Sequence, residues 1–470
     1  MFNLENHRFN IAVITDRGER LSYEELAAAA KTFADAVPPK RGLLFCLCEN
    51  RIGSLVGYVA CMEHHIPIVL LDGSKDISVL QNLADIYHPE YIWISTAKKE
   101  EIGGETIYSY ASFSLQKMNY DVEIEKPEIN PELTLCLTTS GSTGSPKFVR
   151  LSAKNVLANA ESIAEYLEID ENERPITTLP SYYSYGVSVI NSHLIKGATL
   201  LLTEGTVAQR EFWSFLKEYK ATSIAGVPYT YEMLKMLRFF RMDLPYLKTM
   251  TQAGGKLNKD IAKEYIEFAK EKGKKFFVMY GQTEATARMS YLPFEHALEK
   301  YASIGIAIPR GKFSLIDANG NTIEEPDVDG ELVYIGPNVS LGYAECRADL
   351  AKGDENHGEL HTGDVARRDS DGFYYITGRM KRFVKVWGNR CNLDATEQLV
   401  KAITTSCACV GVDDKITVFV TKQGLENDII KMLSEKTGFN SKAFEVRVID
   451  AIPVKSSGKI DYPAMQAMLN

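Results

Sequence analysis

Through the first 380 residues, short apolar runs alternate with amphipathic stretches of helical period. That alternation predicts parallel-rich sheets covered by helices, an α/β fold. The runs Leu133 to Leu137 and IPIVLLD, residues 66–72, predict buried strands. Ser22 followed by Glu25 forms a capping box, and Leu26, Ala29, Ala30, Phe33 and Val37 supply the apolar face of the helix behind it. Ser152 opens a second amphipathic stretch, read as the helix that leaves the polar loop before it. After Gly320 the spacing changes to short strands between Gly, Asp and Asn turns, which predicts a β-rich subdomain closing the body before about residue 378. At Gly378-Arg379-Met380-Lys381 the strand pattern FYYIT gives way to a basic segment and a new pattern. The expected organisation is a large body of mixed, parallel-rich sheets over residues 1–379 and a small α+β domain over 380–470. There is no internal repeat or low-complexity tract.

A hydrophobic fraction of 45% and a charged fraction of 24% in 470 residues exclude disordered and collagen-like chains. No apolar run approaches the roughly 18 residues of a membrane span. The start, MFNLENHRFNIAVITDRGE, has no basic region followed by an apolar segment, so no secretory signal is visible and a cytoplasmic location is expected. Eight cysteines without paired C-x-x-C spacing predict reduced thiols, with Cys407 and Cys409 on one buried strand face. The eight histidines lack zinc-site spacing. A net charge of −9 argues against a nucleic-acid partner, and Arg238-Phe-Phe-Arg241 is read as a core edge, not a base-stacking platform.

The most informative stretch is LTTSGSTGSPK, residues 137–147, in which every position from Thr138 to Ser145 is a hydroxyl residue or glycine. Gly141 and Gly144 let the backbone turn its N–H groups toward an anion. Thr139, Ser140, Ser142 and Thr143 add uncharged donors, and Lys147 places a cation at the rim. A buried strand before the loop and Pro146-Lys147 after it distinguish it from a flexible Ser/Gly linker. The spacing is not that of the G-x-x-x-x-G-K-[ST] loop. It resembles instead the signature loop of the AMP-forming, adenylate-forming superfamily, which includes acyl- and aryl-CoA synthetases, peptide-synthetase adenylation domains and luciferases. Further segments resembling that family's motifs follow in order from about Leu21 to Tyr462.

The resemblance implies ATP- and magnesium-dependent conversion of a carboxylic acid to an acyl-AMP with release of pyrophosphate. Transfer to a thiol follows, either CoA or the phosphopantetheine arm of an acyl or peptidyl carrier protein. In MYGQTEA, residues 279–285, it implies that Tyr280 meets the adenine, Thr283 the α-phosphate and Glu284 the metal, with Gly281 between them. Gln252-Ala-Gly-Gly255, with Gly254 and Gly255, resembles the turn along the adenine. Asp364 and Arg379, in HTGDVARRDSDGFYYITGR, stand where the family contacts the ribose. Lys459, in PVKSSGKIDY, would bridge the attacking carboxylate and the α-phosphate from a mobile C-terminal domain that swings about Lys381. In KVWGNRCNL, residues 385–393, Gly388 would admit the thiol arm; Lys385 and Arg390 either meet its phosphate or are ordinary surface charges. GELVYIGPNVSLGY, residues 330–343, is assigned to structure and not to chemistry. From Lys381 onward 13 Lys and Arg stand against 10 Asp and Glu, a net of +3 that leaves −12 for the rest. That imbalance suits docking of an anionic CoA or acidic carrier protein, or is a chance of surface charge.

Phe148 stands where the family usually has glycine, Lys455 where it has threonine, Tyr462 where arginine is frequent and Ala395 where glutamate is. Tyr183, in PSYYSYGVSVI, stands near where many acyl-CoA synthetases have histidine. Amino-acid-activating relatives place an Asp in this segment to pair the α-ammonium, and residues 180–190 contain no acid. An unpaired buried ammonium costs several kcal/mol, so an acid without an α-amino group is expected. Tyr183, Val187, Val227, Gly254 and Gly281 are the expected acid-pocket residues. Arg288 is a candidate for a polar or anionic substrate tail, with a surface salt bridge the preferred alternative. The competing functions are a stand-alone amino-acid adenylating enzyme loading a carrier protein, a luciferase-like oxidation of an acyl-adenylate, and a non-catalytic nucleotide-binding scaffold. Joint retention of Lys147, Thr283, Glu284, Asp364, Arg379 and Lys459 argues against the scaffold.

Overall fold

Ser22 caps the helix Tyr23–Ala36: its hydroxyl accepts from the Glu25 amide at 3.1 Å and the Glu25 carboxylate accepts from the Ser22 amide at 2.7 Å. Leu26, Ala29, Ala30 and Phe33 are buried, as the period requires, while Val37 ends the helix in extended backbone. The computed structural model describes residues 1–120, 127–138, 147–380, 382–387, 389–454 and 460–469.

Two large sheets form the α/β body. One runs, from edge to edge, through 306–307, 290–291, Lys275–Tyr280, Thr249–Gln252, Ser223–Gly226, 175–176, Leu200–Leu202, Ile11–Thr15 and Arg20–Ser22. Its interior pairs are parallel and its edges antiparallel. The second runs through Gly342–Ala344, Phe148–Ser152, Leu133–Thr138, Ile68–Asp72, Leu44–Cys48, Tyr91–Ser95, Phe113–Lys117 and Glu105–Tyr110. Helices Tyr23–Ala36, Ile52–Glu63, Ala153–Tyr166 and Ser184–Leu194 contribute to a core shared by both sheets, which includes Phe33, Val56, Trp93, Val156 and Leu194. A third sheet of Lys312–Ile316, Gly330–Ile335, Glu359–Arg368 and Tyr374–Arg379 is antiparallel throughout. This is the expected β-rich subdomain, although its first strand precedes Gly320, which serves as a turn at φ +85°. From Val384 onward the buried residues group among themselves, around the strands Cys407–Val412, Lys415–Val420 and Phe444–Val448, a separate β-rich C-terminal region. Cys407 and Cys409 are both buried there. No described helix is long and apolar enough to cross a membrane.

The sequence reading of strand, polar loop and helix at 133–166 misses one element. Phe148–Ser152 is a strand antiparallel to Leu133–Thr138, so the Ser/Gly segment joins two strands, and the helix Ala153–Tyr166 begins only afterwards. Phe148, the departure from glycine, is fully buried and stacks on Tyr87 at 4.4 Å.

His193 lies in the helix Ser184–Leu194, its Nδ1 2.8 Å from the Val189 carbonyl. Burial pushes the imidazole down from 6.5 to about 4, against that hydrogen bond, with the nearby Arg288 charge adding to the fall. A group protonated more readily in the unfolded chain lends stability that is complete above pH 6.5 and lost as pH falls toward 4. The loss attributable to His193 between pH 7 and 5 is expected to be about 2 kcal/mol. Urea unfolding of the native chain and His193→Gln at both pH values checks this: the variant should lose correspondingly less stability.

Candidate active site

The strands Thr249–Gln252 and Lys275–Tyr280 are parallel neighbours, and the site forms where both end, at the carboxyl edge where open α/β sheets leave a crevice. Beyond the first strand, Gln252 Nε2 donates to the Gly255 carbonyl at 2.9 Å and Gly254 sits at φ +82°, fixing the glycine turn. Beyond the second, a Cβ at Gly281 would lie 1.8 Å from the Ala287 carbonyl oxygen, so only glycine fits the return of the chain. Asn338 holds that return, donating to the Ala285 carbonyl at 2.9 Å and accepting through its own carbonyl from Thr286 Oγ1 at 2.7 Å.

Two polar clusters flank the loop. Asp364 and Arg379 are direct cross-strand partners in the β-rich subdomain, and Arg379 Nε lies 3.2 Å from Asp364 Oδ1. The other carboxylate oxygen accepts from Tyr280 Oη at 2.5 Å and Gln282 Nε2 at 3.0 Å. Burial, then the Asp364 charge, pushes the Tyr280 phenol well up, so it remains a donor at neutral pH. In the second cluster Thr283 Oγ1 donates to Ser184 Oγ at 3.1 Å. Glu284 Oε1 accepts from Tyr343 Oη at 2.9 Å. Lys147 Nζ lies 3.6 Å from the centroid of the Tyr343 ring and 3.5 Å from Glu345 Oε1. Tyr343, in the segment assigned to structure, thus contacts both Lys147 and Glu284. The strand Gly342–Ala344 pairs with Phe148–Ser152, and this register brings Tyr343 between Lys147 and Glu284. Gln282, Ser184 and Tyr343 all fall inside segments singled out by sequence, but no local spacing discloses their partners.

A cleft opens beside these clusters, lined in part by Tyr183, Gly254, Gly281, Thr283 and Arg288. Two expected pocket residues stand apart. Val187 lines a different cavity with Cys48 and Tyr58. Val227 precedes the helix Pro228–Met236, is buried in the core and lines neither cavity. Arg288 is not a surface residue: it is 2% exposed and forms no ion pair among the described residues, which overturns the salt-bridge alternative.

Thr139, Ser140, Gly141, Ser142, Thr143, Gly144, Lys381, Gly388 and Lys459 lie outside the described residues, as does the Arg390 side chain. Lys385 is exposed and stands opposite Arg390 in the two-stranded ladder of 383–386 and 389–392. Tyr462 donates to both oxygens of buried Glu397 at 3.0 Å, and Arg382 lies 3.6 Å over its ring. That contact ties the C-terminal helix Tyr462–Ala467 to the residue after Lys381.

The residues present fit a nucleotide bound with magnesium. Glu284 keeps one carboxylate oxygen without a described partner, and a single protein oxygen suits a cation that retains waters and is carried on phosphates. Asp364 offers a carboxylate for sugar hydroxyls, with Gln282 as a donor beside it.

The sequence pattern of the family described as AMP-binding enzyme matches residues 3–344. Feruloyl-CoA synthase of Amycolatopsis sp is 27% identical over 345 residues, spanning 70% of this chain and 68% of that protein. A long-chain-fatty-acid–CoA ligase of Escherichia coli O157:H7 is 29% identical over 363 residues, spanning 73% and 63%. Among solved structures, o-succinylbenzoate CoA synthetase of Bacillus subtilis with its acyl-adenylate intermediate superimposes with a TM-score of 0.79 at 20% identity, covering 98% of this chain and 97% of that one.

Gly281→Ala is expected to destabilise the chain by about 1–3 kcal/mol through overpacking against the Ala287 carbonyl. It should also abolish ATP binding, because the turn carries Tyr280, Thr283 and Glu284. Urea unfolding and calorimetric titration with ATP and magnesium check the two outcomes.

Proposed function

The chain belongs to the AMP-binding enzyme family, and from that membership we propose that it activates a carboxylic acid without an α-amino group and passes the acyl group to a thiol. A carboxylate oxygen attacks the α-phosphorus of ATP, the bond to the β-phosphate oxygen breaks, and pyrophosphate leaves. A thiolate then attacks the acyl carbon of the mixed anhydride, the C–O bond to the phosphate breaks, and AMP leaves. CoA is the proposed acceptor, supported by the similarity to a CoA synthase and a CoA ligase. A carrier-protein arm is the alternative that the assay separates.

The observation that carries this reading is the convergence, on one short return of the chain that also lines a cleft, of a cross-strand carboxylate, a hydroxyl and a second carboxylate. In the proposed assignment Asp364 accepts from the ribose hydroxyls, with Arg379 and Gln282 holding its orientation. Tyr280 flanks the adenine beside the Gly254-Gly255 turn. Thr283 donates to the α-phosphate, and Lys147 and the hydroxyl loop of 139–144 contact the β- and γ-phosphates. Magnesium, held through Glu284, would neutralise charge developing on the phosphate oxygens. Tyr343 orients Glu284 by its hydroxyl. Lys459 would place an ammonium where charge is greatest during attack by the acid. Residues 380–470 are proposed as the domain that turns about Lys381 between the two steps, so that Gly388 replaces Lys459 at the cleft. The absence of an acid in residues 180–190 supports the non-amino substrate class.

The test is ATP–pyrophosphate exchange over a panel of fatty, aryl, hydroxy and amino acids. Exchange with a non-amino class is expected; exchange with amino acids alone would hand the assignment to a carrier-loading enzyme, and ATP binding without exchange to a scaffold. Lys459→Ala should slow exchange by about 100-fold or more, as removal of one transition-state donor does. Its rate of thioester formation from supplied acyl-adenylate should be far less affected. Gly388→Leu should do the reverse, slowing the thiol step with exchange retained. Equal losses in both steps for either variant would contradict its assignment.

A further inference from the structure

Three large arginines are nearly or fully buried in the body, and two are neutralised. Arg150 lies 2.5 Å from Glu355 and donates to the carbonyls of Leu341, Tyr343 and Gly353. Arg347 pairs with Glu90 at 3.0 Å. Arg288 differs from both. Its Nη1 donates to the Tyr166 phenol at 3.3 Å and approaches the Met279 sulfur at 3.6 Å, its guanidinium lies 4.9 Å over the Tyr185 ring, and its Nε is buried with no partner. The tyrosine phenols keep their protons, because burial pushes both up, and His193 nearby is neutral, because burial pushes it down to about 4. A buried guanidinium among neutral groups is costly unless an anion joins it.

Arg288 also lines the cleft, and with Tyr185 it is the least exposed of the lining residues, whereas Thr283 and Gly281 are partly exposed. We propose that Arg288 binds an anionic group at the far end of the acid, so that the substrate is a dicarboxylic acid whose one carboxylate is activated beside Thr283 while the other meets the guanidinium. The inference rests on the acid-activating reading above and specifies its substrate class. Beyond the weak contacts of Nη1 with neutral groups, the guanidinium keeps donor capacity that a carboxylate can accept. The same charge repels the ammonium of an amino acid. A plain hydrocarbon tail would leave the guanidinium uncompensated.

The experiment compares matched acids in pyrophosphate exchange: glutarate and adipate, each against its monomethyl ester and the fatty acid of equal length. It uses the native chain, Arg288→Met and Arg288→Gln, with thermal unfolding of each unliganded protein. The native chain should prefer at least one dicarboxylate over its monoester by about 100-fold in kcat/KM, the scale of a buried charge pair. Arg288→Met should bring that ratio to within threefold of unity. The unliganded variant should be at least as stable as the native chain, since it no longer buries an unpaired charge. A native enzyme that takes the monoester or fatty acid as well as the diacid overturns the proposal and leaves the acid-activating reading standing. So does an unchanged ratio in a folded Arg288→Met or Arg288→Gln. Should neither variant fold, the native ratio decides alone. Absence of exchange with every acid, despite ATP binding, overturns the activity reading and this inference together.

Discussion

With no side chain at position 281, the backbone passes so near the Ala287 carbonyl that any Cβ would lie inside van der Waals contact, and the arrangement of the cleft follows from that approach. The strand Lys275–Tyr280 can turn back within a few residues and pair antiparallel with 290–291. Five polar side chains are thereby presented from one short return: Tyr280 and Gln282 toward Asp364, Thr283 toward Ser184, Glu284 toward Tyr343 and Arg288 over Tyr185. Asn338 makes the return rigid by satisfying backbone groups that the turn leaves open, among them the Ala285 carbonyl. A loop so constrained can hold donors and acceptors in place before any ligand arrives, which is what electrostatic catalysis requires of a site.

Charge is distributed unevenly around that loop. Asp364 is enclosed by a phenol, an amide and a guanidinium. Glu284 has one hydroxyl on one oxygen and no described partner on the other, a carboxylate left with capacity for a cation. Arg288 is the positive counterpart, a guanidinium that no described carboxylate neutralises. The structural arginines Arg150 and Arg347, by contrast, have carboxylates and carbonyls around them, and they tie the segment 341–355 to the second sheet.

The C-terminal region carries its own apolar groups and a polar knot within them. Glu397 accepts from Tyr462, from the Cys409 amide at 3.0 Å and from Lys401 at 3.1 Å, while Arg382 spans Glu397 and Asp394. Tyr462 packs its ring under Arg382, 3.6 Å from the guanidinium. The segment next to Lys381 and the helix Tyr462–Ala467 are fastened to each other by these contacts.

The capping box at Ser22, the strand at 68–72, the buried face of Cys407 and Cys409 and the order of the motifs were legible in the sequence, because each depends on spacing within a few residues. The family and the α/β class followed from the same local patterns. The strand Phe148–Ser152 was missed because five residues between a polar loop and a strong helix cap carry little periodic signal. Val187 and Val227 look alike in sequence to residues of the cleft, yet Val187 lines a different cavity and Val227 is packed into the core beside Tyr185 and Ala253. Tyr343 meets Glu284 across 59 positions, and Arg288 meets Tyr166 across 122, through sheet edges that no local pattern encodes. By itself the sequence determined most of the elements and the family to which the motifs belong, since propensity, capping and motif spacing act over short range. Only the tertiary structure decided which side chains share the cleft and which buried charge has no described counter-charge, because those depend on register and packing between distant segments.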